Sequence, residues 1–485
     1  MPSLDYEPIS YGELSEEKRP TLRQAFVPLL GVVAFLSVGS GYLKLAPHGP
    51  LLWSIALAGI VGKYWIGLSW EDLYDGMADS LMMGLQAILI LFVIYALIST
   101  WISAGTIPGL MYYGLSVLTP SVFLPATALL AAAVAFSIGS SWTTAGTLGV
   151  AFIGIGSGLG IPEPMTAGAI LTGAYAGDKQ SPLSDTTNLA AAVTNTDLYD
   201  HIRAMRNGTV LALGLSVVLY GYLGLRVAGG APTGRVAEIQ SALAGTYNLS
   251  LLVFLPLVVT FGLALYGYPA LPTLVAGVFA GTFTTTLVQG KSFTAAWEIF
   301  LNGTAPETGT QMVTDLLASG GLSGSAWTIS VVVAALALGG LLEGMGILAV
   351  LSHSLAKSIR SKSSLVVSTG ASAFLVNLFS AQQYMSIVVP GMSLRSLYDD
   401  YDLDSSNLSR AVEAAGTPTG ALIPWHAGAV YMSGVFGVAT LEYAPYYFFA
   451  FLSPAILFVM GLTGRGITAK DAAGGEMANA TVGDD

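Results

Sequence analysis

The sequence predicts an all-α polytopic membrane protein with inverted repeats, each with a re-entrant hairpin and a broken transmembrane helix. Of its 485 residues, 53% are hydrophobic and 10% are Asp, Glu, Lys or Arg, against about 25% charged in soluble proteins. The stretch from Ser80 to Pro162 contains no charged side chain. The apolar runs are about 20 residues long, as helical spans require, whereas barrel strands need about 9–11.

Ten membrane crossings are predicted from runs that carry few or no charged residues. Two of them, 164–196 and 406–436, are long and are interrupted by polar residues, which indicates broken helices. The other eight are continuous: 26–46, 50–70, 81–104, 207–227, 249–267, 270–290, 324–345 and 443–463.

Two further apolar stretches, 121–158 and 363–394, are predicted to be re-entrant hairpins. Basic residues flank the second stretch, with Lys362 before it and Arg395 after it, so both of its ends are expected in the cytoplasm. The first stretch has no Lys or Arg near either end, so both of its ends are expected outside. With ten crossings, the N- and C-termini are then both cytoplasmic.

The order of these features repeats in the two halves of the chain. The pair Trp70-Glu71 recurs as Trp297-Glu298, each time after two spans and before the third span of its half. A hairpin and then an interrupted span follow in both halves. The chain crosses the membrane five times between the start of the first repeat and the start of the second. Because five is an odd number, the second repeat has the opposite orientation in the membrane. Inverted repeats with broken helices are a transporter architecture, with binding sites near the bilayer midplane.

This organisation predicts six segments and a cell-membrane location, with membrane lipid as the surrounding partner. Arginine and acidic residues exceed lysine, which suggests a high-salt cytoplasm, so a halophilic prokaryote is the expected source. No basic footprint for nucleic acid is visible. The segments are a cytoplasmic N-terminal tail at 1–24, the first repeat at 25–206, a connecting span and loop at 207–248, the second repeat at 249–436, a final span at 437–464, and an acidic C-terminal tail at 465–485.

The densest polar cluster in an apolar setting runs from 177 to 188, where Pro182 interrupts a helix. Freed carbonyls and short oxygen side chains suit Na⁺, because a hard cation takes oxygen ligands. Buried carboxylates at the midplane are costly and usually functional. Na⁺ is expected at Asp178, Asp185 and Asn188. The whole predicted set for ion binding and proton coupling is Asp178, Ser181, Asp185, Thr186 and Asn188.

Candidate oxygen donors also occur at the two hairpin tips and at the second helix break. Hydroxyl and amide side chains can bind a cation, although Ser and Thr in membrane helices often bond their own helix backbone instead. The candidates are Ser137, Ser140, Ser141 and Thr143 at the first tip, Gln382 and Gln383 at the second tip, and Thr417 and Thr419 at the second break.

Four more ionisable residues are secondary candidates. Lys179 either neutralises a neighbouring Asp or extends outward to the membrane surface. Glu343 ends an uncharged run, and Glu413 lies four residues before Thr417. His426 titrates near neutral pH if it is unperturbed, although a lone His is more often structural.

Enzyme signatures are missing from the sequence. There is no Walker A motif, nucleophile elbow or metal-ligand spacing, and the absence of Cys excludes thiolate chemistry and disulfides. The expectation is a transporter driven by ion gradients rather than an enzyme. Na⁺ and H⁺ are then transported ions, and no cofactor is expected.

Several motifs resemble the NhaC family of Na⁺/H⁺ antiporters. They are the run from Gly177 to Asn188, the run Gly139-Ser-Ser-Trp-Thr-Thr-Ala-Gly-Thr-Leu-Gly149, the run Ala421-Leu-Ile-Pro-Trp425, and Gly-Gly-Leu-Leu-Glu343. The resemblance covers about 25–463. It implies a scaffold domain, a transport domain with two hairpins, Na⁺ held between a hairpin tip and the neighbouring helix break, and often a homodimer. The family includes malate-lactate antiporters and amino-acid carriers.

Two functions compete on this basis. The first is exchange of Na⁺ for H⁺ by alternating access, with Asp178 and Asp185 binding either ion. The second is Na⁺-coupled transport of a small organic acid or an amino acid, of the malate/lactate antiport type. An anionic substrate would require Arg or half-helix N-termini in the core, and no Arg lies clearly at the midplane. A receptor or scaffold role would not explain buried polar clusters in both halves.

Overall fold

The computed structural model describes residue 9 and residues 11–227 and 234–470. Within these ranges the regular structure is helical, with two isolated β-bridges. Three predicted segments extend partly outside the described residues: the N-terminal tail at 1–24, the connecting span and loop at 207–248, and the C-terminal tail at 465–485. Their boundaries, like those of the two repeats, remain predictions.

The first half of the chain contains nine helices between residues 22 and 193. Two of them, α1 and α2, continue as short π-helical turns to residues 42 and 66. In chain order the helices are α1 Leu22–Leu36, α2 His48–Ile60, α3 Trp70–Met83, α4 Leu85–Ser103, α5 Thr106–Val117, α6 Pro120–Ile138, α7 Ser141–Gly158, α8 Glu163–Asp178 and α9 Asp185–Val193.

Helices α10 Leu198–Val227 and α11 Arg235–Thr246 lead to the second half of the chain. That half contains α12 Leu255–Leu265, α13 Ala270–Leu287, α14 Phe293–Asn302, α15 Gln311–Leu316, α16 Gly321–Gly324, α17 Ala326–Gly344, α18 Ile347–Ala356, α19 Lys362–Ser380, α20 Met385–Ser393, α21 Arg395–Asp400, α22 Ser405–Gly416, α23 Ala427–Phe436, α24 Thr440–Tyr443 and α25 Phe448–Thr463.

Described helices occupy each of the ten runs that were predicted to cross the membrane. Eight described helices are long and apolar enough to span a membrane, and two bent pairs, α11 with α12 and α24 with α25, also qualify. Two of the eight, α6 and α19, are the first arms of the predicted hairpins. The ten predicted runs correspond to the remaining six continuous helices, the two bent pairs and the two broken helices.

Both halves repeat one order of elements, including a feature that the sequence reading missed. The third span of each half, α4 or α17, is followed by a glycine with positive φ, Gly105 or Gly346, and a second helix begins directly after that glycine. A hairpin and a broken helix follow in each half: α6–α7 with α8–α9, and α19–α20 with α22–α23. The predicted fold class is confirmed.

The hairpins and the broken helices pack against one another across the two halves. The first arm of each hairpin packs on the first part of its own broken helix, α6 on α8 and α19 on α22. The second arm packs on the second part of the other broken helix, α7 on α23 and α20 on α9. On α8, Gly173 and Gly177 permit direct contact with the α6 backbone at Ala128 and Ala132. This arrangement brings both tips and both breaks together inside the protein.

Candidate functional site

A cavity of about 200 Å³ lies where the two hairpin tips meet the first helix break. Serine and threonine come from the first tip, carboxylates from the break, and amides and a phenol from the second tip. The residues of these segments that line it are Ser140, Ser141, Trp142, Thr143, Asp178, Asp185, Thr186, Gln382, Gln383 and Tyr384. Eight of the 17 predicted site residues therefore line one cavity.

Asp178 is the last residue of α8, and its side chain is almost fully buried, with 3% of the residue exposed. Ser141, the first residue of α7, donates its hydroxyl hydrogen to Asp178 Oδ2 at 2.8 Å. Asp178 Oδ1 has no hydrogen-bond partner among the described residues. Because a buried carboxylate oxygen without a partner is unfavourable, this atom is suited to receive a cation or a proton.

Asp185 is the first residue of α9 and receives the second hairpin tip. The Tyr384 hydroxyl donates to Asp185 Oδ2 at 2.5 Å. The backbone N–H of Thr186 donates to Asp185 Oδ1 at 2.8 Å. The position also benefits from the helix dipole, which stabilises a carboxylate in the first turn. Each carboxylate of the cavity is thus held by one hairpin tip.

The first tip fits against the first break through a glycine. Gly139 adopts a positive φ of 73° between α6 and α7. A Cβ there would lie 2.5 Å from the carbonyl carbon of Leu183 and 2.7 Å from the backbone nitrogen of Ser184. Nearby, the Ser181 hydroxyl accepts a hydrogen bond from the Leu183 N–H at 3.2 Å. Both the left-handed conformation and the close approach therefore require glycine.

Nine of the predicted residues do not line the cavity, and three of these, Asn188, Ser137 and Glu343, have hydrogen-bond partners away from it. The Asn188 amide donates to the carbonyl of Ser184 at 2.6 Å, and the Ser137 hydroxyl donates to the carbonyl of Ala133 at 2.8 Å. Neither residue lines the cavity. Glu343 Oε1 accepts the backbone N–H of Ile9 at 3.0 Å, and the carboxylate lies beside the N-terminal segment.

The second break contains uncharged polar groups, and Asn377 of the second hairpin makes hydrogen bonds to them. The Thr419 hydroxyl donates to the carbonyl of Ala415 at 2.6 Å, and Asn377 Nδ2 lies 3.1 Å from that hydroxyl. His426 Nδ1 accepts the Gly428 N–H at 3.0 Å, so Nε2 carries the hydrogen and donates to Asn377 Oδ1 at 3.1 Å. His426 is therefore a neutral imidazole with both nitrogens satisfied.

Lys179 connects the first break to the second. The residue is buried, with 1% exposed. Its Nζ donates to the carbonyl of Glu413 at 2.6 Å and to the hydroxyl of Thr417. Lys179 therefore neither pairs directly with an Asp nor extends to the surface, the two alternatives that the sequence left open. It binds neutral oxygens of the other broken helix.

Sequence reasoning missed three residues of this region. Trp142 and Tyr384 line the cavity, and His201 on α10 lies 2.6 Å from Glu413. His201 was missed because the span was predicted to begin at residue 207, whereas α10 begins at Leu198. The sequence does contain a signal, since the buried positions His201, Met205, Thr209, Ala212, Ser216 and Tyr220 recur at helical spacing.

Two hairpin tips and two helix breaks around one buried and one half-buried carboxylate define a secondary transporter. The family described as the Na⁺/H⁺ antiporter family matches residues 22–177 and 173–465. The chain belongs to this family, which confirms the resemblance seen in its motifs. The relatives are antiporters, so the chain is grouped with membrane transporters and not with enzymes.

Three relatives in this family are named for different transported substances. The arginine/ornithine antiporter ArcD of Halobacterium salinarum is 51% identical over 96% of this chain and 97% of its own length. The Na⁺/H⁺ antiporter NhaC of Alkalihalophilus pseudofirmus is 37% identical over 93% of this chain and 97% of its own length. The malate-2H⁺/Na⁺-lactate antiporter of Bacillus subtilis is 34% identical over the same two shares.

Proposed function

We propose that this chain is an antiporter for cationic amino acids of the arginine and ornithine type. The observation that carries the proposal is a cavity of about 200 Å³ that touches both Asp178 and Asp185. One water molecule occupies about 30 Å³, so the space exceeds what a directly coordinated Na⁺ needs. The identity of 51% with an arginine/ornithine antiporter over 96% of the chain supports the same cargo.

The lining offers complementary groups for both ends of such a molecule. The unpaired Oδ1 of Asp178 suits a guanidinium or ammonium group, because charge-assisted hydrogen bonds to carboxylates are the strong ones. Trp142 and Tyr384 add aromatic surface, on which guanidinium groups stack. Side-chain polar atoms of Gln382 and Gln383 have no partner among the described residues. Together with the positive end of α7, they suit the amino and carboxylate groups of the cargo.

Exchange, rather than one-way transport, follows from the charge of the site. The carboxylates of Asp178 and Asp185 outnumber the nearby ammonium group of Lys179, so the empty cavity leaves an uncompensated negative charge, which is unfavourable in a low-dielectric interior. The transport domain therefore reorients readily when a cation neutralises them, and poorly when the cavity is empty. Each transport step in one direction is then followed by a return step that carries another cation. The proposal needs no resident cofactor.

Exchange of Na⁺ for H⁺ by alternating access is the second candidate. Two relatives named Na⁺/H⁺ antiporter NhaC are 36–37% identical over most of the chain. The same carboxylates would bind either Na⁺ or a proton, and each ion would exclude the other because they compete for one charged form. On this candidate the cavity holds Na⁺ together with water.

Transport by the purified protein in liposomes separates the two candidates. Vesicles loaded with ornithine are expected to accumulate radiolabelled arginine, and arginine-free vesicles with a Na⁺ gradient are expected to show no proton movement in a pH-sensitive dye. Asp185→Asn is expected to stop the uptake of arginine. The matched control is Glu163→Gln, which removes a carboxylate outside the cavity, where Glu163 accepts a hydrogen bond from Ser157 at 3.0 Å. Proton movement driven by Na⁺, without arginine uptake, would establish the second candidate instead.

We also propose that the protein lies in the cell membrane as a homodimer with both termini in the cytoplasm. The chain has no cysteine, so single cysteines can be introduced at 353–362 and at 395–405 without background labelling. Both positions are expected to react only from the cytoplasmic side. Reaction of one position from outside would show that 363–394 crosses the membrane. Cross-linking of single cysteines in native membranes tests the homodimer.

A further inference from the structure

A second cavity lies away from Asp178 and Asp185, and the transport proposal does not use it. It is a cleft of about 700 Å³, a volume in the range of small-molecule sites. We call it the distal cleft, and we call the cavity around Asp178 and Asp185 the carboxylate cavity. The residues that line the distal cleft include Tyr95, Ile153, Glu163, Arg235, Met312 and Asp315.

The two cavities follow one another along two helices. On α4, Ile90 lines the carboxylate cavity and Tyr95 lines the distal cleft. On α7, Thr143 lines the first and Val150 lines the second. At the helical rise of 1.5 Å per residue these pairs are about 7–10 Å apart along their helices. A ligand in the distal cleft would therefore lie between one and two helical turns from the carboxylate cavity.

A packed layer separates the two cavities. The Tyr431 hydroxyl donates to the carbonyl of Trp142 at 2.7 Å, and the two rings stack with their centroids 4.6 Å apart. Tyr431 and Ile94 are both 0% exposed, and both lie so close to Gly146 that no Cβ would fit there. The carboxylate cavity extends instead to the start of α4 and to the α12–α13 loop. The distal cleft is thus on the other side of the layer, which is the outer side in the proposed orientation.

Arg235, the first residue of α11, brings a guanidinium group with few partners to the distal cleft. Its Nη2 lies 2.9 Å from Sδ of Met312, and a thioether is a weak acceptor. Its Nε is buried and has no hydrogen-bond partner among the described residues. Arg235 also forms no ion pair with a carboxylate of these residues. Because guanidinium groups bind carboxylates strongly and through two hydrogen bonds, Arg235 is available for the carboxylate of a ligand.

Asp315 lies one helical turn from the contact between Arg235 and Met312. It follows Met312 by one turn of α15, so the two side chains are neighbours on that helix. Its Oδ1 accepts a hydrogen bond from the Gln311 amide at 2.7 Å, and its side chain is exposed. The distal cleft therefore contains a guanidinium group and a nearby carboxylate that do not pair with each other. An α-amino acid carries the complementary groups, a carboxylate and an ammonium group on one carbon atom.

We propose that the distal cleft is a second binding site, which holds the α-amino-acid end of the cargo before the cargo enters the carboxylate cavity. Arg235 binds the α-carboxylate, and Asp315 binds the α-ammonium group. Because the layer at Tyr431 is closed, an amino acid reaches this site from one face of the membrane only. The part of this proposal that concerns transport rests on the proposed function.

Binding in the distal cleft is tested in Asp185→Asn, which lacks a carboxylate of the other cavity. Calorimetry of this variant in lipid nanodiscs is expected to show binding of arginine. Agmatine, which is arginine without its α-carboxylate, is expected to bind about tenfold more weakly, because it loses a hydrogen-bonded charged contact. Adding Arg235→Gln is expected to remove the difference between the two compounds. Absence of arginine binding, or equal binding of both compounds before Arg235 is changed, would overturn the proposal.

The role of the site in transport is tested by uptake of radiolabelled arginine into right-side-out and inside-out membrane vesicles. Arg235→Gln is expected to raise the KM for arginine about tenfold from one face only. The maximal rate and the inhibition constant of agmatine are expected to stay unchanged. Asp315→Asn is expected to weaken both compounds, because both carry the amino group. An unchanged KM in Arg235→Gln, or the same increase from both faces, would exclude the distal cleft from the transport path.

Glu163→Gln is the matched control for these measurements. It removes a carboxylate that also lines the distal cleft but accepts a hydrogen bond from Ser157 at 3.0 Å. Both compounds are expected to behave as in the wild type. A loss equal to that of Asp315→Asn would show a general effect of negative charge and would refute the contact with Asp315. If the wild type takes up no arginine, the proposed function fails, and the calorimetry alone decides whether the distal cleft binds an amino acid.

Discussion

The two helix breaks share one backbone architecture and differ in chemistry. The break between α8 and α9 has Asp178, Lys179 and Asp185 at its ends, whereas the break between α22 and α23, residues 417–426, contains no Asp, Glu, Lys or Arg. Each break is packed against one hairpin tip from its own half and one from the other half. The repeated architecture thus supplies the packing twice, and only one of the two breaks carries charged side chains.

The neutral second break binds the lysine of the charged first break. Its hydroxyl at Thr417 and the nearby carbonyl of Glu413 bind the ammonium group of Lys179. This arrangement satisfies a buried lysine without using either carboxylate of the cavity, because both acceptors are uncharged oxygens. On the proposed function, Asp178 and Asp185 therefore stay available for the cargo, because the second break accepts the ammonium group of Lys179.

The largest effect is expected from removing a charge at the first break. Asp185→Asn is expected to reduce exchange by at least about 100-fold, since breaking a buried charged interaction costs several kcal/mol. The comparison at the second break is Thr419→Val, which removes one neutral hydroxyl and is expected to reduce exchange by less than about tenfold. Initial rates of uptake in liposomes measure both. Comparable losses in the two variants would show that the charged break has no special role.

The hairpin tips offer a second contrast between the halves. Gly139→Ala places a side chain against the Leu183 backbone in a left-handed conformation, and we expect a loss of stability of about 2–4 kcal/mol. At the other tip Ala381 already has a positive φ of 55°. Ala381→Gly is therefore expected to change stability by less than about 1 kcal/mol. Thermal unfolding in detergent compares the two, and a tolerated Gly139→Ala would show that the tip and break separate easily.

Two serines of the first hairpin differ in whether they contact a carboxylate of the cavity. Ser141 donates to Asp178, whereas Ser137 bonds its own helix. Ser141→Ala is expected to weaken cargo binding about tenfold, since a hydrogen bond to a charged group contributes about 1.5–3 kcal/mol. Ser137→Ala is expected to leave cargo binding unchanged. Calorimetry provides the affinities, and equal values for the two variants would place Asp178 outside the binding site.

The smallest effect is expected from a carboxylate outside the membrane spans. Hydrogen bonds from the backbone N–H of Ser69 and then from the Lys18 side chain lower the pKa of Asp72 to about 2. A lowered pKa means that this contribution to stability is complete above the unfolded pKa near 4 and is lost as the pH falls towards 2. Asp72 is partly exposed, so the contribution is below about 1 kcal/mol.

Unfolding of wild type and Asp72→Asn at several pH values measures this contribution. The difference in stability between them is expected at pH 6 and is expected to shrink as the pH falls towards about 2, because the wild-type carboxylate becomes neutral. A difference that grows on acidification would contradict the assignment. Comparison of Asp72→Asn with Asp185→Asn shows how strongly the effect of removing a carboxylate charge depends on the burial of that carboxylate.

Local features of the chain were sufficient to predict the spans, the hairpins and the breaks. Apolar length and flanking charge are properties of single segments, and Pro182 interrupts its helix wherever the helix lies. The helix interruptions at Gly105 and Gly346 escaped prediction because neither glycine lies in a run of polar residues such as 177–188. The early start of α10 escaped prediction because its first turns are charged, although their buried face continues the helical spacing.

By itself, the sequence determined that this protein is an all-α membrane transporter with two hairpins and two broken helices, and it predicted that Asp178 and Asp185 belong to the binding site at the first break. Those conclusions rest on residue type and spacing along one segment. Only the tertiary structure decided that Tyr384 binds Asp185, that Lys179 binds the second break, and that His201 meets Glu413 across 212 positions of chain. Such contacts depend on how helices pack, and packing between distant segments leaves little trace in either segment alone.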